Sequence, residues 1–220
     1  MRAASFDHIT GTLRPLWRGR VHAAAAVIYP LAGAYLVSVC KTVVTITGSL
    51  VYATGMLLCF GVSAMYHTLC KSMKTQKIFR RLDHSSIYFL IAGTYTPVCL
   101  IVLSGPYLWL TLGSVWTVAL AGVYMKMRAR NLKMATALYL VLGWSSLVML
   151  PPLYETAGWL PLTLLFLGGV TYTLGATLFR MRVPTLKKDV FGYHEVWHLI
   201  TLIASGLHYA AIYIISAGVV

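Results

Sequence analysis

Long stretches of apolar residues follow one another along almost the whole chain and are separated by short polar segments. A helix that crosses the ~30 Å hydrocarbon core of a membrane needs about 20 apolar residues, so each stretch predicts one transmembrane helix. The pattern therefore predicts an all-α integral membrane protein with seven transmembrane helices. Their predicted ranges are 22–42, 44–69, 84–103, 107–125, 134–153, 159–179 and 193–217.

The composition agrees with this pattern, because 59% of the residues are hydrophobic and only 10% are charged. These proportions lie far outside the range of soluble domains. The connecting segments are too short to form a further folded unit. We therefore divide the chain into an N-terminal segment, residues 1–21, and a single transmembrane domain, residues 22–220.

The charged residues predict how the chain lies in the membrane. Of the 18 Lys and Arg residues, 17 fall in the N-terminal segment and in every second connection, and Lys41 alone falls on the opposite side. Cytoplasmic loops carry such an excess of basic residues. We therefore expect a cytoplasmic N-terminus and, after an odd number of spans, a C-terminus outside. The basic segments are expected to contact anionic lipid headgroups and not nucleic acid.

Several polar residues are predicted to lie at the cytoplasmic ends of different spans. His67 ends the second span, Asp83 precedes the third, and His194 and His198 begin the seventh. Ionisable residues within membrane spans are costly and commonly mark functional sites. Their shared depth indicates a site at this end of the bundle.

The residue types predict a metal site. His194 and His198 are spaced i and i+4, so both rings project from one helical face. His67 is the natural third ligand, and Ser63 lies one turn deeper on the same face of the second span. Three histidines with one open position are typical of catalytic zinc, and imidazole ligands favour Zn²⁺ over Mg²⁺ or Ca²⁺. Asp83 would then orient or deprotonate a water molecule at the open position.

Other interpretations of the same residues remain open. A single histidine near a membrane interface is usually a polar group that reaches for the headgroups, and this applies to His8, His22 and His84. Asp83 could also cap the third helix, since Asp is favoured at a helix start. In the last span, we expect Glu195 to pair with a basic segment. His208 lies too deep to share the ion, so it is a satisfied polar group or part of a substrate cavity.

Four stretches of this chain closely resemble bacterial hemolysin III proteins, which are members of the progestin and adipoQ receptor family. The stretches are SAMYHTLC (63–70), RRLDHSSIYFLIAGTYTP (80–97), LGWSSLV (142–148) and HEVWHLITLIASGLHYAAI (194–212). The resemblance runs over most of the chain from about residue 45 onward. One departure is RPLWRGRVH, where bacterial members commonly carry a Glu/Asn pair ahead of the histidine and this chain keeps only His22.

The resemblance implies seven spans with a cytoplasmic N-terminus, in a bacterial plasma membrane. It also implies that His67, His194 and His198 hold zinc, with a water molecule near Ser63 and Asp83, as in adiponectin receptors. The more distantly similar alkaline ceramidases hydrolyse an amide in a membrane lipid. They imply that zinc polarises the scissile carbonyl and activates water, while Asp83 accepts the proton and Ser63 holds the water or the oxyanion.

Three functions therefore stay open. The first is zinc-dependent hydrolysis of a lipid amide, which would make a membrane lipid the substrate. The second is the cytolytic activity that the family name implies, although an assembled pore needs polar-lined spans and these spans are uniformly apolar. The third is a receptor or structural membrane protein in which zinc only ties the second span to the seventh. A fully coordinated metal would favour the third function.

Overall fold

Helices make up most of the structure, a computed structural model that describes residues 6–128 and 132–218. Seven helical segments within those ranges are long and apolar enough to cross a membrane, which confirms the predicted fold class. One segment is composite, because a short 3₁₀ helix joins α5 to α6. The helices are α1 (Arg20–Val39), α2 (Val43–Thr68), α3 (Met73–Val102), α4 (Gly105–Met127), α5 (Leu132–Trp144), α6 (Leu150–Ala157), α7 (Trp159–Met181) and α8 (Tyr193–Ala217).

The third span begins much earlier than its apolar run. Helix α3 starts at Met73, and the Ser72 side chain caps it by accepting a hydrogen bond of 3.2 Å from the Thr75 N–H. Lys, Arg and Gln are good helix formers, so the basic segment 71–81 is mostly helical although it is not apolar. The interpretation of Asp83 as a helix cap is therefore wrong, because Asp83 lies within the helix.

The fifth span ends later than its predicted boundary. The predicted range of this span ends at residue 153, but α6 continues to Ala157. Pro151 and Pro152 occupy the first turn of α6, where a missing N–H breaks no intrahelical hydrogen bond. Gly158 alone separates α6 from α7, with a φ of 71° that glycine adopts readily.

The last helix is central to the bundle, since α8 packs against α1, α2, α3 and α7. Helices α2 and α3 approach closely along their length, and a Cβ atom on Gly48 would lie only 2.7 Å from Pro97 Cα. Small residues at such crossings allow close backbone contact in membrane proteins. The second and third spans are therefore packed tightly along their length, with the Gly48–Pro97 contact at the end opposite His67.

The N-terminal segment folds back over one end of the bundle. Two short strands, β1 (Phe6–Asp7) and β2 (Thr12–Leu13), pair antiparallel. Beyond them, the N–H groups of Leu16 and Trp17 donate hydrogen bonds to the carbonyl oxygens of residues 189 and 190, at 3.1 Å and 3.2 Å. We call residues 6–19 the N-terminal strap. It joins the end of the bundle where α2 finishes and α8 begins.

Candidate metal centre

Three histidine rings from two helices form a nearly equilateral triangle. The ring centroids of His67 and His194 lie 4.9 Å apart, those of His67 and His198 4.9 Å, and those of His194 and His198 4.7 Å. One nitrogen from each ring lies within 4.8 Å of the other two. His67 and His198 are buried, at 3% and 2% exposure, while His194 is partly exposed. The structure therefore brings together the three histidines that the sequence pattern singled out.

The nitrogen atoms of this triangle fit a metal ion. Three buried ring nitrogen atoms have no hydrogen-bond partner among the residues that the structure describes. They are Nδ1 and Nε2 of His67 and Nδ1 of His198. Buried polar atoms are almost always paired, and leaving them unpaired is costly. Three imidazoles bound tetrahedrally at about 2 Å would place their ring centroids about 5 Å apart, which agrees with the observed triangle. The three rings therefore offer nitrogen ligands close enough together for one metal ion to bridge them.

Ser63 and Asp83 form a second pair of polar residues in this region. Ser63 is buried on α2, one helical turn before His67, at 2% exposure. The Asp83 carboxyl group on α3 lies close to this hydroxyl across the α2–α3 interface. The helical turn between Ser63 and His67 thus connects this pair to the histidine triangle. The catalytic roles expected for Ser63 and Asp83 stay predictions.

A fourth histidine lies beside the triangle, and its place differs from the one expected. His22 is only 5% exposed, and its ring stacks on His198 with centroids 3.8 Å apart and an interplanar angle of 13°. The interpretation of His22 as a group reaching for the headgroups is therefore wrong. The sequence does carry one indication of this placement. His22 begins the first span and so lies at the same depth as the other predicted site residues.

Hydrogen bonds fix the orientation of the His22 ring. The Thr201 hydroxyl donates to the His198 carbonyl oxygen at 2.8 Å, and its oxygen lies 3.1 Å from His22 Nε2. Because the only hydroxyl hydrogen of Thr201 is used, we assign the proton of the His22 ring to Nε2. Its Nδ1 atom then keeps a lone pair, without a hydrogen-bond partner in the described part of the chain. His22 and Thr201 together support the face of α8 that carries His198.

The N-terminal strap contacts the triangle through its backbone. The Arg14 Nη1 atom donates hydrogen bonds to the carbonyl oxygens of Tyr66 and His67, at 3.2 Å and 3.0 Å. These bonds engage carbonyl groups at the C-terminal end of α2, where a cation is favoured. Gly19 passes so close that a Cβ atom there would lie 2.6 Å from His67 Cβ. The strap therefore covers the side of the centre that faces the end of the bundle.

A buried ion pair ties the strap to the last helix. Arg18 forms a salt bridge with Glu195, which has no exposed surface, and Glu195 Oε2 also accepts a hydrogen bond of 2.8 Å from the Gly192 N–H. This contact confirms the expectation that Glu195 pairs with a basic segment. Because Glu195 follows His194 directly, the ion pair also holds the first turn of α8 in position. The role of Arg18 was not predicted from its place in a basic segment.

We expect Glu195→Gln to destabilise the protein strongly. The change removes the negative charge opposite Arg18, whose side chain is only 14% exposed. Removing one partner of a buried ion pair costs about 3–5 kcal/mol, because the remaining charge is uncompensated. Thermal unfolding in detergent would measure the change, with Glu155→Gln as the control because Glu155 is exposed on α6. Equal midpoints for the two variants would contradict a stabilising role for the ion pair.

His208 is a separate polar group on α8. Its Nε2 atom donates a hydrogen bond of 3.2 Å to the Leu165 carbonyl oxygen. The ring packs against Gly168, where an added Cβ atom would lie 2.2 Å from His208 Cδ2. His208 is therefore a satisfied polar group at the α7–α8 contact, as one of the two interpretations of the sequence proposed.

These features define a class: a polytopic helical membrane protein whose second and last spans meet at a three-histidine centre. The chain belongs to the haemolysin-III related family, whose family model matches residues 11–209. It is 36% identical to Hemolysin-3 of Bacillus cereus over 159 residues, which cover 71% of this chain and 69% of that protein. The Hemolysin-3 homolog of Bacillus subtilis (strain 168) is 34% identical over 154 residues, 69% of each chain.

A more distant relative lies outside bacteria. The adiponectin receptor protein of Drosophila melanogaster is 28% identical over 186 residues, covering 72% of this chain and 40% of that protein. The family relationship inferred from the four sequence stretches is therefore confirmed. Together with the membrane spans, it identifies the chain as a multi-pass protein of the bacterial cell membrane.

Proposed function

We propose that this protein is a zinc-dependent hydrolase that cleaves an amide bond in a membrane lipid. The observation that carries the proposal is the histidine triangle, in which one nitrogen atom of each ring lies within 4.8 Å of the other two, close enough to share a metal ion. Nearby, the Ser63 and Asp83 pair supplies the other groups that hydrolysis needs. The similarity to adiponectin receptors and, more remotely, to alkaline ceramidases supports an amide-containing lipid as the substrate.

Each residue of the centre has a separate role in the proposed reaction. His67, His194 and His198 would hold zinc, and the ion would supply Lewis-acid polarisation of a carbonyl group and activation of a water molecule. The Asp83 carboxylate accepts a proton from the attacking water and returns it to the leaving amine. The Ser63 hydroxyl orients the Asp83 carboxylate and donates a hydrogen bond to oxygen atoms that gain negative charge.

The position of the centre suits a substrate that stays in the membrane. All three histidines lie at the end of the bundle where the N-terminal strap folds back, and the excess of basic residues supports a cytoplasmic location for this end. Basic residues of the adjoining connections contact anionic headgroups there. A lipid whose amide lies just below its headgroup therefore meets the centre without leaving its own leaflet.

The direct test is hydrolysis by the purified protein. We expect fatty-acid release from ceramides or other lipid amides, loss of this activity after treatment with a zinc chelator, and recovery when zinc is added back. His194→Ala should be inactive under the same conditions, whereas His8→Ala, which changes an exposed residue of the strap, should stay active. A protein that binds zinc and hydrolyses none of these lipids would overturn the proposal and leave the metal a structural tie between α2 and α8.

A further inference from the structure

A long groove runs between the first and last helices on the surface that faces the bilayer. Helices α1 and α8 lie side by side and parallel, and the groove between them has a volume of about 340 Å³. Each end is marked by a pair of stacked rings that bridges the helices. The His22–His198 pair marks the end near the metal centre, and the Tyr35–Tyr213 pair, with centroids 5.9 Å apart, lies beyond the other end.

Small residues create this groove. Ala25 and Ala32 line it from α1, and Gly206 lines it from α8, where an added Cβ atom would meet nothing within 4 Å. The two tyrosines in its wall offer no free hydroxyl. Tyr29 donates to the Leu202 carbonyl oxygen at 3.1 Å, and Tyr209 donates to the Ala32 carbonyl oxygen at 2.7 Å. The lining therefore presents hydrocarbon and aromatic surface only.

The dimensions of the groove match one lipid chain. Its lining on α8 extends from Leu199 to Tyr209, which is about 15 Å of helix at 1.5 Å per residue. That length equals about half of the ~30 Å hydrocarbon core, which is the depth of one leaflet. Ile28 and Ile203 border the open side and are exposed, so the bilayer reaches directly into the groove. The groove is therefore open sideways to the hydrocarbon of the membrane.

The groove leads to the histidine centre. Ala25 follows His22 by one helical turn on α1, and Leu202 follows His198 by one turn on α8. The lining thus begins three residues after His22 on α1 and one residue after His198 on α8, and His198 is also a corner of the histidine triangle. The Nδ1 atom of His22, one turn beyond the lining, is buried and has no hydrogen-bond partner in the described part of the chain.

We propose that the α1–α8 groove binds the acyl chain of a membrane lipid and presents its polar end to the histidine centre. This inference rests on the proposed function only for the identity of that polar end, an N-acyl amide. The amide N–H donates to His22 Nδ1, while the acyl chain runs along Ala25, Ala32 and Gly206. The substrate class is thereby narrowed to lipids with an acyl chain about one leaflet long.

The test blocks the groove from a position that has room for a side chain. Gly206→Leu extends a side chain into the groove from a position where a Cβ atom meets nothing within 4 Å. Gly113→Leu is the matched control, because Gly113 is also exposed and helical and a Cβ atom there meets nothing within 4 Å. The probe is a ceramide with a photoreactive diazirine in its acyl chain, added to the detergent-purified protein. After irradiation, the crosslinked peptides are mapped and quantified.

We expect the parent and Gly113→Leu to crosslink within 25–32 and 199–209. In Gly206→Leu the yield there should fall about tenfold, because losing the burial of about two methylene groups corresponds to a factor of this size. Gly206→Ala, which adds one methyl group, should give an intermediate yield and serves if the leucine variant does not fold. Equal yields in all of these proteins would overturn the inference.

The crosslinking experiment tests lipid binding in the groove independently of the proposed hydrolysis. Crosslinking in the groove of a parent protein that hydrolyses no lipid amide would leave the groove assignment intact and remove the hydrolase. Hydrolysis that proceeds at the parental rate in Gly206→Leu, with crosslinking undiminished, would keep the hydrolase and remove the groove. Zinc content should be the same in both glycine variants, because neither residue contacts the histidine triangle.

Discussion

Replacing His67 and His198 together by alanine is expected to abolish zinc binding. Two of the three nitrogen donors disappear from a triangle in which each lies within 4.8 Å of the others, and one remaining imidazole cannot hold the ion. Elemental mass spectrometry of the detergent-purified protein should find about one zinc per chain in the parent and about none in the variant. Imidazole ligands also suit copper, iron and nickel, so the element detected identifies the metal.

The control for this experiment is another histidine of α8. His208→Ala removes a ring that bonds to the Leu165 carbonyl group, away from the triangle, so this variant should keep its zinc. Absence of metal from the parent, even after zinc supplementation, would remove both the metal centre and the hydrolase. The histidines would then be buried polar contacts in a membrane bundle.

Asp83→Asn is expected to remove hydrolysis while leaving zinc in place. The amide has nearly the shape of the carboxyl group and retains contact with Ser63, but it cannot accept a proton from water. General base catalysis contributes about 10²- to 10⁴-fold to a rate, so kcat should fall by that factor. Steady-state hydrolysis and zinc content should be measured on the same preparation, because the combination separates a chemical role from a structural one.

Asp189→Asn provides the matched control for the loss of one carboxylate. Asp189 is exposed and has a φ of 59°, a backbone conformation that Asn also tolerates. Its kcat should equal that of the parent. An Asp83→Asn variant with parental kcat would show that another group accepts the proton, and one that loses zinc would show that Asp83 supports the metal centre instead.

The sequence predicts the number of spans well, because long apolar runs are required by the bilayer itself. The last span is predicted as 193–217 and observed as Tyr193–Ala217, since Gly192 and Gly218 stand at its two ends. The third and fifth spans are predicted poorly for a physical reason. Hydropathy reports which residues are apolar, whereas a helix can continue into polar residues. Helix α3 begins in a basic segment of good helix formers, and α6 continues after two prolines because its first turn tolerates them.

The candidate site is predicted only where its members are linked by local spacing or by depth. His194 and His198 share a helical face, and His67 ends a span at the same side, so these three are found from the pattern. His22 and Arg18 are not, because their partners are on α8, and no local pattern indicates that the first and last spans are neighbours. Contacts between distant parts of the chain require the folded structure.

The division of the centre between α2 and α8 has a consequence for biosynthesis. The strap and His67 leave the ribosome early, but His194 and His198 are translated only when the seventh helix is made. A nascent chain therefore carries one ligand, held in a hydrophobic bundle that is still open on the side of α8, until translation is nearly complete. Metal capture by the complete triangle would therefore mark finished insertion, whereas a chain that stalls in its final loop would offer only one of the three ligands.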